Sequence, residues 1–143
     1  MIEKLRKRDL EKAIIVFQKG LSLETPPGNM NNKIISRELK KTICYVHKTK
    51  GNLDGLTNFK INKNGNITLM FICAIRPRQG IGTELMHEVA KFALKKKIKW
   101  IYSGVSSKDK RATKFYYSLK FKPYSKTGQF GYYIKAKPTD LIK

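Results

Sequence analysis

Apolar residues recur along this chain with two different periods, and the switches between them set out an order of elements. Residues 2–7 (IEKLRK) read as a short opening strand, with Ile2 and either Lys4 or Leu5 inward. Asp9 then offers an N-cap, and Leu10, Ala13, Ile14 and Phe17 mark one face of a helix that Gly20 can end. Thr25-Pro26-Pro27-Gly28 breaks the chain into a loop. Asn31 or Asn32 caps a second short helix that carries Ile34, Ile35 and Leu39 and ends near Lys41. Three strand-like runs follow, Thr42–His47, Leu56–Asn62 and Ile67–Ile75. Turn signals at Gly51-Asn52 and Asp54-Gly55 separate the first two, and the Asn-Gly turn Lys63-Asn64-Gly65-Asn66 separates the last two. Helical spacing returns with Leu85, Met86, Val89, Phe92 and Ala93, capped by Thr83 and closing on Lys95-Lys96-Lys97. Ile98–Val105 reads as a strand, and Lys110–Ser118 as a helix with Ala112, Phe115, Tyr116 and Leu119 on one face. Two last strands start at Phe121–Tyr124 and span Phe130–Ala136, around a Thr127-Gly128 turn. The predicted order is β-α-α-β-β-β-α-β-α-β-β, an α/β (α+β) chain forming one domain over residues 1–143.

The stretch Ile67–Leu94 carries the most chemistry. A buried strand meets Pro77, which cannot continue a central strand, and Gln79-Gly80-Ile81-Gly82 leads into the helix. Two glycines let the backbone turn sharply and let a ligand approach the main chain. The first amides of a helix have no internal partner and carry the positive end of its dipole, so this order of elements suits an anion, with Arg76 and Arg78 beside it. Two phosphate loops are excluded by spacing. The Walker pattern needs a lysine after its last glycine, and Gly82 is followed by Thr83. The dinucleotide fingerprint needs glycine where Leu85 stands.

The formal charge is +21, from 31 Lys and Arg against 10 Asp and Glu. Such a surface attracts polyanions and steers anionic ligands inward, so nucleic acid, a ribosome or an acidic protein are expected partners. The lysines are spread along the whole chain, which is also the pattern an AT-rich genome gives a merely soluble surface. No apolar run reaches the ~18 residues of a membrane span, and the N-terminus lacks the long apolar stretch of a secretion signal, so the expectation is a cytoplasmic protein. Cys44 and Cys73 lie far apart inside strand-like runs and read as buried reduced thiols; His47 and His87 lack metal-ligand spacing, and no metal is expected.

Arg78-Gln79-Gly80-Ile81-Gly82, between an apolar strand and an amphipathic helix, resembles the acetyl-CoA loop of the Gcn5-related N-acetyltransferases (GNAT). That loop is usually Arg/Gln-x-x-Gly-x-Gly/Ala; its first position falls here on Pro77, and Arg78 or Arg76 takes over the role. Asp109, Ala112, Phe115-Tyr116 and Phe121 resemble the same family's second motif, Asn-x-x-Ala-x-x-aromatic/aliphatic-Tyr followed by Gly-Phe, with Asp109 in place of Asn and Lys120 in place of Gly. The resemblance implies a mixed, mostly antiparallel sheet flanked by helices, whose fourth and fifth strands splay to admit the pantetheine arm of acetyl-CoA. It implies that Cys73, Ala74 and Ile75 pair with that arm, that the amides of Arg78, Gln79, Gly80, Ile81, Gly82 and Thr83 hold the pyrophosphate, and that Asp109 and Tyr116 line the site.

By the same resemblance Tyr116 is the general acid at the leaving sulfur, with Tyr117 as the alternative. A phenol at about 10 against a thiol at about 8.5 makes that transfer roughly 2 kcal/mol uphill, and neighbouring lysines are expected to lower the phenol. The general base is not apparent. Many relatives carry a Glu on or near the fourth strand, and ITLMFICAI has no acid; Glu84, Glu38, Asp54 and His47 are the candidates, with Glu84 the foremost. An α-amine, at about 8, needs less help than a lysine amine at about 10, which favours protein N-termini or weakly basic amines as acceptors. The implied activity is direct acetyl transfer from acetyl-CoA to a primary amine in a ternary complex, by a monomer or homodimer. The rival reading is a non-catalytic basic module on the same fold that binds nucleic acid or an acidic protein.

Overall fold

The computed structural model describes residues 1–76, 79–126 and 131–142. Seven strands form one sheet in the order β1-β2-β3-β4-β5-β7-β6. They are β1 (Ile2–Lys4), β2 (Ile43–Thr49), β3 (Asn52–Ile61), β4 (Ile67–Ala74), β5 (Ile101–Ser106), β6 (Lys122–Lys126) and β7 (Gly131–Ala136). Five helices flank it: α1 (Leu10–Ser22), α2 (Asn32–Lys41), α3 (Ile81–Lys95), α4 (Lys110–Ser118) and α5 (Pro138–Leu141). All strand pairs are antiparallel except β4–β5.

Alternation along the strands divides the core into two layers. Val46, Leu56 and Cys44 join Ala13, Val16, Phe17, Ile35 and Leu39 beneath α1 and α2. Tyr45, Phe59, Ile67, Leu69 and Ile101 join Leu85, Met86, Val89, Ala90 and Tyr116 beneath α3 and α4. Helices α1 and α3 bury most of the apolar stripe that their spacing announced, whereas Ile34 of the expected α2 stripe is 45% exposed.

Several boundaries differ from the sequence reading. Asp54-Gly55 is not a turn but lies inside β3; the turn is made by Lys50 and Gly51, both at positive φ. Glycine stands at 55 because a Cβ there would lie 2.7 Å from Ile81 Cγ2 and 3.0 Å from the Cys73 carbonyl oxygen, so α3 and β4 approach this backbone directly. Asp9 does not cap α1 with its side chain; it is buried and pairs with Lys48 at 2.9 Å, which also holds Glu3 at 2.8 Å. Helix α3 is capped by Gly80, at φ 76°, and not by Thr83. The strand expected from Ile98 begins at Ile101. Lys120, where the family usually has glycine, adopts φ 73°, the conformation for which glycine is favoured. Thr127-Gly128 and Phe130 lie outside the described residues.

Because Gly55 sets how close α3 sits to the sheet, Gly55→Ala overpacks that contact. It should destabilise the protein by about 1–3 kcal/mol, read as a lower urea midpoint at unchanged m-value.

Candidate active site between strands β4 and β5

Strands β4 and β5 pair only at Ile67–Ile101 and Thr68–Tyr102. Beyond those two pairs they part, and the β5-facing edge of β4 up to Ala74 has no strand partner among the described residues. On its other edge β4 pairs with β3 from Ile61–Ile67 to Gly55–Ala74, with one register shift that passes over Met70. Cys73 and Ala74 thus stand at the open end of the parting, and the Ile75 amide is spent on the Asp54 carbonyl at 2.9 Å.

Helix α3 starts beside this opening. The first helical bond runs from the Glu84 amide to the Gly80 carbonyl at 2.9 Å, so the amides of Ile81, Gly82 and Thr83 precede it without an intrahelical partner. The two glycines have different work. Gly80 takes the left-handed turn, and a Cβ built there meets nothing within 4 Å. A Cβ on Gly82 would meet the Phe115 ring at 3.2 Å, so Gly82 makes room for α4. Gln79 and Gly80 are exposed and Ile81 is buried; Pro77 and Arg78 lie outside the described residues.

Behind α3's first turn is a charged network that the spacing of the sequence did not announce. His47 Nδ1 lies 2.6 Å from Asp54 Oδ1, and His47 Nε2 lies 2.8 Å from Glu84 Oε2. Thr49 Oγ1 donates to Asp54 Oδ2 at 2.6 Å, and the Arg76 guanidinium donates to the same oxygen. Burial alone would raise the Asp54 pKa; the hydrogen bonds from Thr49, His47 and Arg76 outweigh it and hold the carboxyl below its ordinary value. The network ties β2, β3 and the end of β4 to the start of α3. It engages Glu84, the foremost base candidate, and Arg76, one of the two expected loop cations.

Tyr116 is 7% exposed, packed edge-on against Phe115 and Phe121 at 5.5 and 5.2 Å between ring centroids. The Ser103 hydroxyl on β5 donates to its oxygen at 3.4 Å. The expectation of a lowered phenol is reversed. Burial pushes Tyr116 up to about 12, and the Ser103 bond offsets this only in part. Tyr117 is exposed. Asp109 caps α4, with Oδ1 accepting from the Ala112 amide at 3.0 Å, and its Oδ2 accepts from the Thr25 amide at 3.2 Å. Burial also raises both thiols, Cys44 and Cys73, to about 12.

The fold has close counterparts among solved structures. A family model described as an acetyltransferase (GNAT) domain matches residues 11–133, and the chain belongs to that family. No curated protein matches the sequence. Among solved structures, the PaiA N-acetyltransferase of Thermoplasma acidophilum in complex with coenzyme A superposes with a TM-score of 0.85 at 20% identity, over 96% of this chain and 98% of that one. The ribosomal-protein-S18-alanine N-acetyltransferase of Escherichia coli gives 0.79 at 17% identity, over 96% and 92%. The yncA protein of Salmonella typhimurium, with its cofactor acetyl-CoA, gives 0.77 at 12%, over 96% and 93%.

Asp54 is held ionised in the fold, so its contribution to stability is present above the unfolded carboxyl pKa of about 4 and is lost as pH falls through the lower folded value. Asp54→Asn should cost about 2–3 kcal/mol at pH 7. The gap between variant and wild type should narrow below pH 4 in denaturant titrations; a gap independent of pH would remove the charge from the explanation.

Proposed function

We propose that the protein is an acetyl-CoA-dependent N-acetyltransferase that acts on a primary amine, a protein N-terminus being the favoured class. The observation that supports this most is the unpaired β4 edge beside a helix that begins on an open, left-handed glycine. An extended amide-bearing arm can add to a strand edge, and a pyrophosphate suits amides at a helix N-terminus. Ile81, Gly82 and Thr83 would hold the pyrophosphate with Gln79, Gly80 and Arg78, and Cys73 and Ala74 would face the arm. The co-substrate supplies an activated acetyl group as a thioester.

The role of Tyr116 follows from its burial. Full transfer of a proton from a phenol at about 12 to a thiolate of ordinary pKa is about 5 kcal/mol uphill. Tyr116 is better suited to donate a hydrogen bond to the departing sulfur than to surrender its proton. Asp109 serves the site indirectly, by fixing the start of α4.

A second reading has its own observation. Tyr102 pairs with Lys135 and Gly104 with Tyr133 across β5 and β7, which puts the two tyrosines and the lysine on one sheet face. Tyr124 packs against both tyrosines and is 49% exposed, and Lys135 Nζ lies 4.3 Å from the Trp100 ring centroid. Aromatics interleaved with cations on an open sheet suit a single-stranded nucleic acid.

Calorimetric titration at moderate salt separates the two. Saturable binding of acetyl-CoA but not of ATP, with transfer to a peptide α-amine seen by mass, is the expected result. Equal weak binding of both anions would leave only a basic surface. With acetyl-CoA bound, Tyr116→Phe should lower kcat about tenfold at nearly unchanged affinity.

A further inference from the structure

Glu24 lies outside every motif. It follows α1 and precedes Thr25-Pro26-Pro27-Gly28, where it reads as an ordinary loop residue. The fold gives it a specific place. The end of α1 rests directly on the parted strand β4, since a Cβ on Gly20 would lie 2.6 Å from Cys73 Cβ and 2.7 Å from its sulfur. The chain then tightens, with the Glu24 and Gly28 amides both donating to the Leu21 carbonyl at 3.2 and 2.9 Å. At the next residue the Thr25 amide reaches Asp109 at 3.2 Å, at the head of α4. The Asp109 amide in turn bonds to the Ser106 carbonyl at the end of β5, at 3.0 Å. The α1–α2 loop thus crosses from β4 to β5 over the mouth of the opening, and Glu24 stands on the crossing.

Glu24 is half-buried, and among the described residues its carboxylate has no hydrogen bond or ion pair, in a chain with 31 cations. The titratable groups around it are Asp109 and Tyr116 of α4 and Cys73 of β4. Cys73 and Tyr116 are both pushed up to about 12 and are neutral at physiological pH, so Asp109 is the charged neighbour. Burial, and after it the Asp109 charge, raises the Glu24 pKa above its ordinary value.

We infer that Glu24 is the catalytic base and the ammonium anchor of the acceptor site, an inference that rests on the acetyltransferase reading above. An ammonium entering the mouth is drawn to this carboxylate and its neighbour Asp109, in a chain where cations outnumber acids 31 to 10. One N–H bond breaks, its proton passes to the Glu24 carboxylate, and the lone pair stays on nitrogen. That lone pair forms the bond to the acetyl carbonyl carbon while the C–S bond breaks. The sulfur takes the second proton lost by nitrogen, and Glu24 returns its own proton to solvent. This supplies the acid that β4 lacks.

The test uses an alanine-initiated peptide with a free α-amine and Glu24→Gln in the full chain, with a thermal melt to confirm folding. Acetyl-CoA affinity should stay within about twofold of wild type. Calorimetric affinity of the peptide for CoA-saturated protein should fall about tenfold, kcat should fall about 100-fold, and the acidic limb of the pH–rate profile should disappear. Glu24→Asp should recover part of the rate. Unchanged peptide affinity and an unchanged pH profile in Glu24→Gln would overturn the inference while the acetyltransferase reading stands. A wild type that binds acetyl-CoA but has no affinity for the peptide would overturn it as well. Failure of the wild type to bind acetyl-CoA would instead bring down the reading beneath it.

Discussion

The structure depends on a pairing that stops. Two residue pairs join β4 to β5, and the strands then separate because different helices hold them. Strand β4 is held between α1, through Gly20 and Cys73, and α3, through the Leu69 layer. Strand β5 is covered by α4, through Ser103 and Tyr116. Each strand follows its own support. An unpaired strand edge normally invites aggregation and is blunted or covered. Here it is inside the sheet, under a loop, where only a ligand of the right width could use it.

The other site features follow from keeping that opening in register. Gly55 lets α3 approach the backbone of β3 and β4, which brings the helix N-terminus to the end of the parted strand. The His47–Asp54–Glu84 network fixes the same helix end from behind, and the Arg76 guanidinium joins it at Asp54. Asp109 anchors both α4 and the loop that bridges the mouth. Arg76 and Glu84, expected as a loop cation and a base candidate, are both engaged in the His47 network. Glu24 on the crossing loop, whose carboxylate has no hydrogen-bond or ion-pair partner among the described residues, is the group we infer to be the base.

Much of this could be read from the sequence, because periodicity reports burial. The two core layers match the helical stripes of α1 and α3, and the Asn64-Gly65 turn sets the hairpin before β4. Local signals failed where tertiary contact decides. Asp54-Gly55 has turn composition, yet its glycine serves the approach of α3. Thr83 has N-cap chemistry, yet Gly80 has the left-handed conformation that starts the helix three residues earlier. Helix α5 is four residues with little pattern beyond Pro138 at its start. His47, Asp54 and Glu84 are brought together by a strand pairing and a helix packing that no spacing encodes. Lysines close to Tyr116 in sequence suggested a lowered phenol, and the core around the ring raises it. Glu24 gave no signal of its own, since its surroundings come from β4 and α4.

The most direct measurement is an amide-resolved NMR titration of the protein with acetyl-CoA. Saturating shifts are expected on Leu69–Ala74, Gln79–Thr83 and the first turn of α4, the groups that border the opening. Shifts confined to the lysine-rich face of α2 or to the tyrosine face of β5, β6 and β7, with the β4 edge unmoved, would contradict this account.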